Sequence, residues 1–161
     1  MTTATAEAPV HHFPIDRRWV MAGNATFTVK NATGDHYTFN VRQPAPTPAY
    51  PTPNHFLSVL TGPDHYTYVG VVEPLYDGGH LHVRLTGKSK YTQDSVLVRV
   101  ADFALRVVCG KQDLPTGYGI DHMGCCGRCG HELTHPDGIS EDGYRLGYGP
   151  MCWEIMNGGG Q

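Results

Sequence analysis

Apolar and polar residues alternate along residues 25–30 and again along 36–42, the period-two pattern of half-buried strands. Between them Asn31-Ala-Thr-Gly-Asp35 is turn chemistry, so the two runs predict a hairpin. Three more β-type runs follow at 56–60, 66–72 and 80–85, separated by Gly62-Pro63-Asp64 and Asp77-Gly78-Gly79. The period then lengthens. Asp94 or Ser95 can cap a helix running to about Val108, with Val96, Val100, Phe103, Ala104 and Val107 on one face and Gly110 placed to end it. Residues 21–110 thus predict an α+β unit, an antiparallel sheet of about five strands packed against one helix.

The intervening segments read as connections. Residues 1–20 are small, polar and interrupted by proline, which predicts a mobile N-terminal arm. Residues 43–54 hold five prolines, too many for a central strand, and read as an extended surface loop. Residues 111–120 predict a flexible link to a second unit over 120–157.

Composition adds a charge asymmetry. Residues 1–109 carry nine Lys/Arg against eight Asp/Glu, whereas residues 110–161 carry three against seven, for a net charge of -3. Bulk charge therefore argues against a generic polyanion binder, and the acidic C-terminal part is unlike a phosphate-gripping finger. No secretory signal is visible and no apolar run approaches the roughly 20 residues of a membrane span, so a soluble cytoplasmic protein is expected. In that compartment a Cys-x-x-Cys pair reads as metal or redox chemistry rather than a structural disulfide.

That pair is Cys126-Gly127-Arg128-Cys129-Gly130. Two intervening residues let both sulfurs reach one metal, and the glycines permit the tight turn of a zinc knuckle. Cys152 follows 23 positions later, just after Pro150, a residue suited to the first position of a helix. A cysteine in a first helical turn feels the positive end of the helix dipole, which favours thiolate. A knuckle, an excursion and a ligand on a helix start predict a treble-clef-like module holding one structural Zn2+. The fourth ligand is expected at His122, with His131, His135 and Cys125 as alternatives. Cys125 adjoins Cys126, and adjacent residues in extended backbone point apart. Cys109 reads as a buried apolar filler.

His122-Met-Gly-Cys-Cys-Gly-Arg-Cys-Gly-His-Glu-Leu-Thr-His-Pro-Asp-Gly-Ile139, followed by Gly147-Tyr-Gly-Pro-Met-Cys152, resembles an uncharacterised zinc-finger-like domain of bacteriophage and actinobacterial proteins. Its hallmarks are Cys-x-x-Cys-Gly, Leu-Thr-x-Pro and Gly-x-Gly-Pro-x-Cys. The resemblance extends less specifically upstream, over most of residues 24–153. The upstream histidine common in that family implies His122 as a ligand. Cys125, where a basic residue is usual, and the longer excursion over 140–146 depart from the pattern. The family carries no established reaction. Its company with helicase-like regions implies a link to nucleic-acid metabolism.

Catalytic signatures fail on inspection. No His-x-Glu of a zinc deaminase occurs in the chain. His131-Glu-Leu-Thr-His135 spells a zincin motif, but a knuckle glycine precedes it and Pro136 follows, so the required helix is not expected. His80 and His82 alternate on one strand and read as polar surface positions. The leading expectation is a non-enzymatic, phage-type, zinc-stabilised binding protein that engages a host or phage macromolecule, a protein of nucleic-acid metabolism or defence. A direct nucleic-acid-binding protein is the alternative. Its contacts would be Arg84, Lys88, Lys90 and Tyr91, with Tyr66 and Tyr68 stacking on bases. A metal-dependent hydrolase is a distant third.

Overall fold

A computed structural model describes residues 15–76, 79–133 and 147–156. A short helix, α1 (Arg17–Val20), opens the fold, capped by the Asp16 side chain, which accepts the Trp19 amide. The strands are β1 (Asn24–Lys30), β2 (His36–Arg42), β3 (His55–Leu60), β4 (Tyr66–Pro74) and β5 (Leu81–Arg84). Helix α2 (Val96–Val108) follows, then strand β6 (Gly119–His122) and helix α3 (Pro150–Met156). The six strands among the described residues form one antiparallel sheet in the order β5-β4-β3-β2-β1-β6.

The expected hairpin is β1–β2, and its turn is held by Asn31. The Asn31 side-chain oxygen accepts the amides of Thr33 and Asp35, while the Asn31 and Asp35 backbones pair at 2.9 Å. Alternation along β1 buries Ala25, Phe27 and Val29 and leaves Thr26 and Thr28 half-buried. Facing residues in β2 to β5 complete one apolar layer, with Phe39, Val41, Leu57, Val59, Val72, Leu81 and Val83 all buried.

Helix α2 lies on that layer and touches chiefly β5 and β1. Those strands are four places apart, or about 19 Å in a flat sheet, against a helix diameter of about 10–12 Å. The sheet is therefore curled around the helix. The helix ends in a Schellman motif. Gly110, at φ 75°, donates to the Val107 carbonyl, and Lys111 donates to the Arg106 carbonyl.

Three expectations are corrected. The helix has the expected span, but its buried residues are Val98, Ala101, Ala104 and Leu105, while Val96 is 62% exposed and Val100, Phe103 and Val107 are only half-buried. In Val-Leu-Val-Arg-Val-Ala-Asp-Phe-Ala-Leu-Arg-Val-Val the polar positions are so few that two apolar faces compete. Asp102 selects between them, because its carboxylate accepts the Val83 amide at 2.8 Å and holds that side of the helix to the edge strand β5. Second, the sheet has a sixth strand. Gly119 and Ile120, expected to end a link, pair with Lys30 and Val29 of β1. Third, the expected arm of residues 1–20 does not extend to residue 20. Trp19 and Val20 are 1% and 0% exposed and sit in the core, while residues 1–14 lie outside the described residues.

Candidate metal centre

The knuckle is a small β-turn hooked on the open end of β1. Its arms are tied by the Cys125–Glu132 bridge and by hydrogen bonds from Cys126 to the His131 carbonyl and from Leu133 to the Gly124 carbonyl. Gly130 donates back to the Cys126 carbonyl at 2.8 Å and closes the turn. The Asn24 amide donates to the Gly127 carbonyl, and the Gly127 amide donates to the carbonyl of Gly147. Gly127 also lies flat against the Trp19 indole. A Cβ at that position would come within 2.5 Å of Trp19 Nε1. The same indole N–H donates to the Gly147 carbonyl at 3.0 Å. One tryptophan thus fixes both halves of the site, the knuckle and the approach to α3.

Cys152 stands in the first turn of α3, with the helix begun by the Trp153 amide donating to the Gly149 carbonyl. The sulfurs of Cys126, Cys129 and Cys152 all lie within 4.8 Å of one another, and none is in a disulfide. Cys126 and Cys152 are buried and Cys129 is exposed. Three thiols at that separation are the donor set of a thiolate-bound metal ion, and this arrangement can hold one.

Electrostatics differ across the three. Burial opposes ionisation of Cys126, but amide N–H groups of Gly149, Cys129 and Arg128 aim at its sulfur and draw its pKa below the ordinary value. Burial pushes the Cys129 thiol up to about 11, helped by hydrogen bonds to the Cys152 and Cys126 sulfurs. Ionisation is therefore easier at Cys126 than at Cys129. A bound dication overrides this difference by stabilising every thiolate it touches, so binding releases protons. The Arg128 guanidinium donates to the Cys152 sulfur at 3.5 Å and supplies positive charge from outside the cluster.

His122 is not brought to the thiols. Among the described residues no fourth His, Cys, Asp or Glu joins the group. Strand pairing to Phe27 fixes the His122 backbone in β6, and its Nδ1 accepts the Gly124 amide at 3.0 Å. His131 is exposed and His135 lies outside the described residues. Cys125 diverges from the cluster, with its sulfur 3.8 Å from the Met123 carbonyl, and burial followed by the charges of Glu132 and Cys126 raises its pKa.

The other candidates separate. The described part of the zincin spelling is strand-like, since Glu132 bridges Cys125. The basic cluster at the far end of the sheet is partly neutralised, because Arg84 Nε donates to Glu73 at 2.8 Å. Lys88 and Lys90 are exposed, but Tyr91 packs partly into the core and Tyr68 bonds Thr86 through its hydroxyl at 2.9 Å. Tyr66 is 40% exposed. His82 approaches Glu73 at 3.8 Å, and neither His80 nor His82 joins a metal-ligating group among the described residues. Cys109 is the C-cap of α2 and half-buried. No helix among the described residues is long and apolar enough to cross a membrane.

Sequence reasoning missed Trp19, the residue that docks the site. Its only signal was an aromatic followed by a valine at the end of an otherwise polar segment. No protein-family model matches this chain, and comparison with curated proteins and with solved structures likewise finds no match.

Proposed function

We propose that the chain is a non-enzymatic binding protein whose fold is completed by one zinc ion, held by Cys126, Cys129 and Cys152 in a treble-clef-like module. The observation that carries this reading is the continuity of the thiol cluster with the core. Cys126, Tyr148 and Cys152 belong to the same buried cluster as Trp19, Phe27 and Leu105. A metal held by Cys126 and Cys152 would tie the knuckle and α3 into that core, the role of a structural zinc. The described residues supply three ligands; the fourth, expected at His122, has His131, His135 and Cys125 as alternatives. The partner is a macromolecule, a protein of host or phage origin on the strength of the family resemblance. The acidic C-terminal part and the Glu73–Arg84 ion pair weigh against direct nucleic-acid binding as the main activity.

Native mass spectrometry tests the metal. The intact chain carries one zinc and Cys152→Ser loses it or binds it weakly; alanine placed in turn at His122, His131 and His135 identifies the fourth ligand as the variant that also loses it. A chain without zinc and lighter by two hydrogens contains a disulfide, and the reading falls. Recovery of a stoichiometric protein partner that survives nuclease treatment supports the binding role, whereas a nuclease-sensitive partner shows phosphate contacts instead.

A further inference from the structure

The face of α2 that the sheet leaves uncovered is apolar, and it forms one wall of an open groove. Val96, Val100 and Phe103 line it from the helix, and the opposite wall is the β1–β2 hairpin. Tyr118 meets Phe103 edge-on at 5.9 Å and closes one end. The groove has a volume of about 870 Å3 and follows α2 from Val96 to Arg106, about 15 Å at the helical rise. Val96 is 62% and Tyr118 39% exposed.

Charge along this groove has one dominant sign. Arg99 and Arg106 stand seven positions apart and flank Phe103, so all three share a helix face. Lys30 lies on the far wall, paired with Asp121 at 3.4 Å. Arg106 bonds the neutral Gln112 side chain at 3.0 Å and keeps its charge uncompensated by that contact. No ion pair is made by Arg99 or Arg106 among the described residues. Asp35 is the acidic residue of the lining.

Resting on the binding-protein reading above, we infer that this groove is the partner site and that its occupant is an acidic peptide segment bearing apolar anchors. An aliphatic floor with an aromatic end favours apolar side chains, and two guanidiniums spaced along it favour carboxylates at matching intervals. The open, elongated shape fits a segment lying along the helix. The lining also carries the rings of Tyr37, Phe103 and Tyr118, but Tyr37 already meets Phe39 and Tyr118 already meets Phe103, so the aliphatic side chains between them favour a peptide over stacked bases.

The zinc-loaded full chain is used to select from a displayed library of random short peptides. Selected sequences combine Asp or Glu with Leu, Phe, Ile or Trp. The best of them binds the Arg99→Glu/Arg106→Glu protein about tenfold more weakly or worse, while zinc content and melting temperature are kept. Val100→Gln weakens the same peptide, an independent check at a half-buried position of the groove. Selection of basic peptides, no enrichment, or binding indifferent to both variants overturns the inference. So does oligothymidine that binds this groove and displaces the peptide. A macromolecular partner recovered equally by wild type and double variant would overturn the groove and leave the binding role standing. Absence of any partner would end both.

Discussion

At the scale of single residues, two positions make sharp local demands on the fold. Gly127 is one, because no other residue fits beneath the Trp19 indole. Gly127→Ala should cost about 1–3 kcal/mol, the range for overpacking a filled site, and should alter Trp19 fluorescence; urea denaturation followed by tryptophan emission measures both. His55 is the other. Its Nε2–H donates to the Met21 carbonyl at 2.9 Å, and burial lowers its pKa below the ordinary 6.5 more than that hydrogen bond raises it. Where folded His55 stays neutral and unfolded His55 is charged, the unfolded chain binds more protons. Stability contributed here is complete above the unfolded pKa near 6.5 and is lost as pH falls from there toward the lowered folded value. Thermal melts through this window should show that slope, and His55→Gln should flatten it.

At the scale of elements, α2 shows how a helix with two apolar faces is oriented. Both faces satisfy helical periodicity, and a few polar contacts decide between them. Asp102 reaches the Val83 amide, which turns Val98 and Ala101 inward and leaves Val96 to the groove. The C-terminus is equally specified. Gly110 at φ 75° completes the Schellman turn, so Gly110→Ala should destabilise by about 1 kcal/mol, read as a lower denaturant midpoint with an unchanged slope. Strand β6 is short, and its sequence, Gly-Ile-Asp-His, has little β pattern of its own. It exists because β1 offers an edge, and the Lys30–Asp121 pair and the Ile120–Val29 register suit that edge.

On the whole-molecule scale, sheet, helix and thiol cluster share one core. On the proposed zinc reading, removing the metal should therefore loosen the molecule as a unit. Treatment with a strong chelator is expected to lower the melting temperature of the sheet as well as of the knuckle. Far-UV circular dichroism and the fluorescence of Trp19 and Trp153 should report a single coincident transition. Two separate transitions, with the sheet unmoved, would mean that the thiol cluster is an appendage. Because thiolates bind the metal, zinc affinity should also fall as pH is lowered.

The sequence by itself determined the local grammar of this protein. Alternation marked the β1–β2 hairpin and the positions of β3, β4 and β5, Asn31 and Gly34 marked the turn, and Gly110 marked the helix end, since each depends on neighbours close along the chain. It also named Cys126, Cys129 and Cys152, whose spacing and chemistry are specific, and these the fold brings within 4.8 Å of one another. What only the tertiary structure decided involves distant partners. The burial of Trp19 depends on Gly127 and Gly147, more than a hundred residues away. The place of His122 depends on β1 and on the Gly124 amide, and the buried face of α2 on one carboxylate at a strand edge. Periodicity records which residues are apolar, but which surface they meet is settled by packing, where alternatives of similar hydrophobicity are separated by a few directional hydrogen bonds.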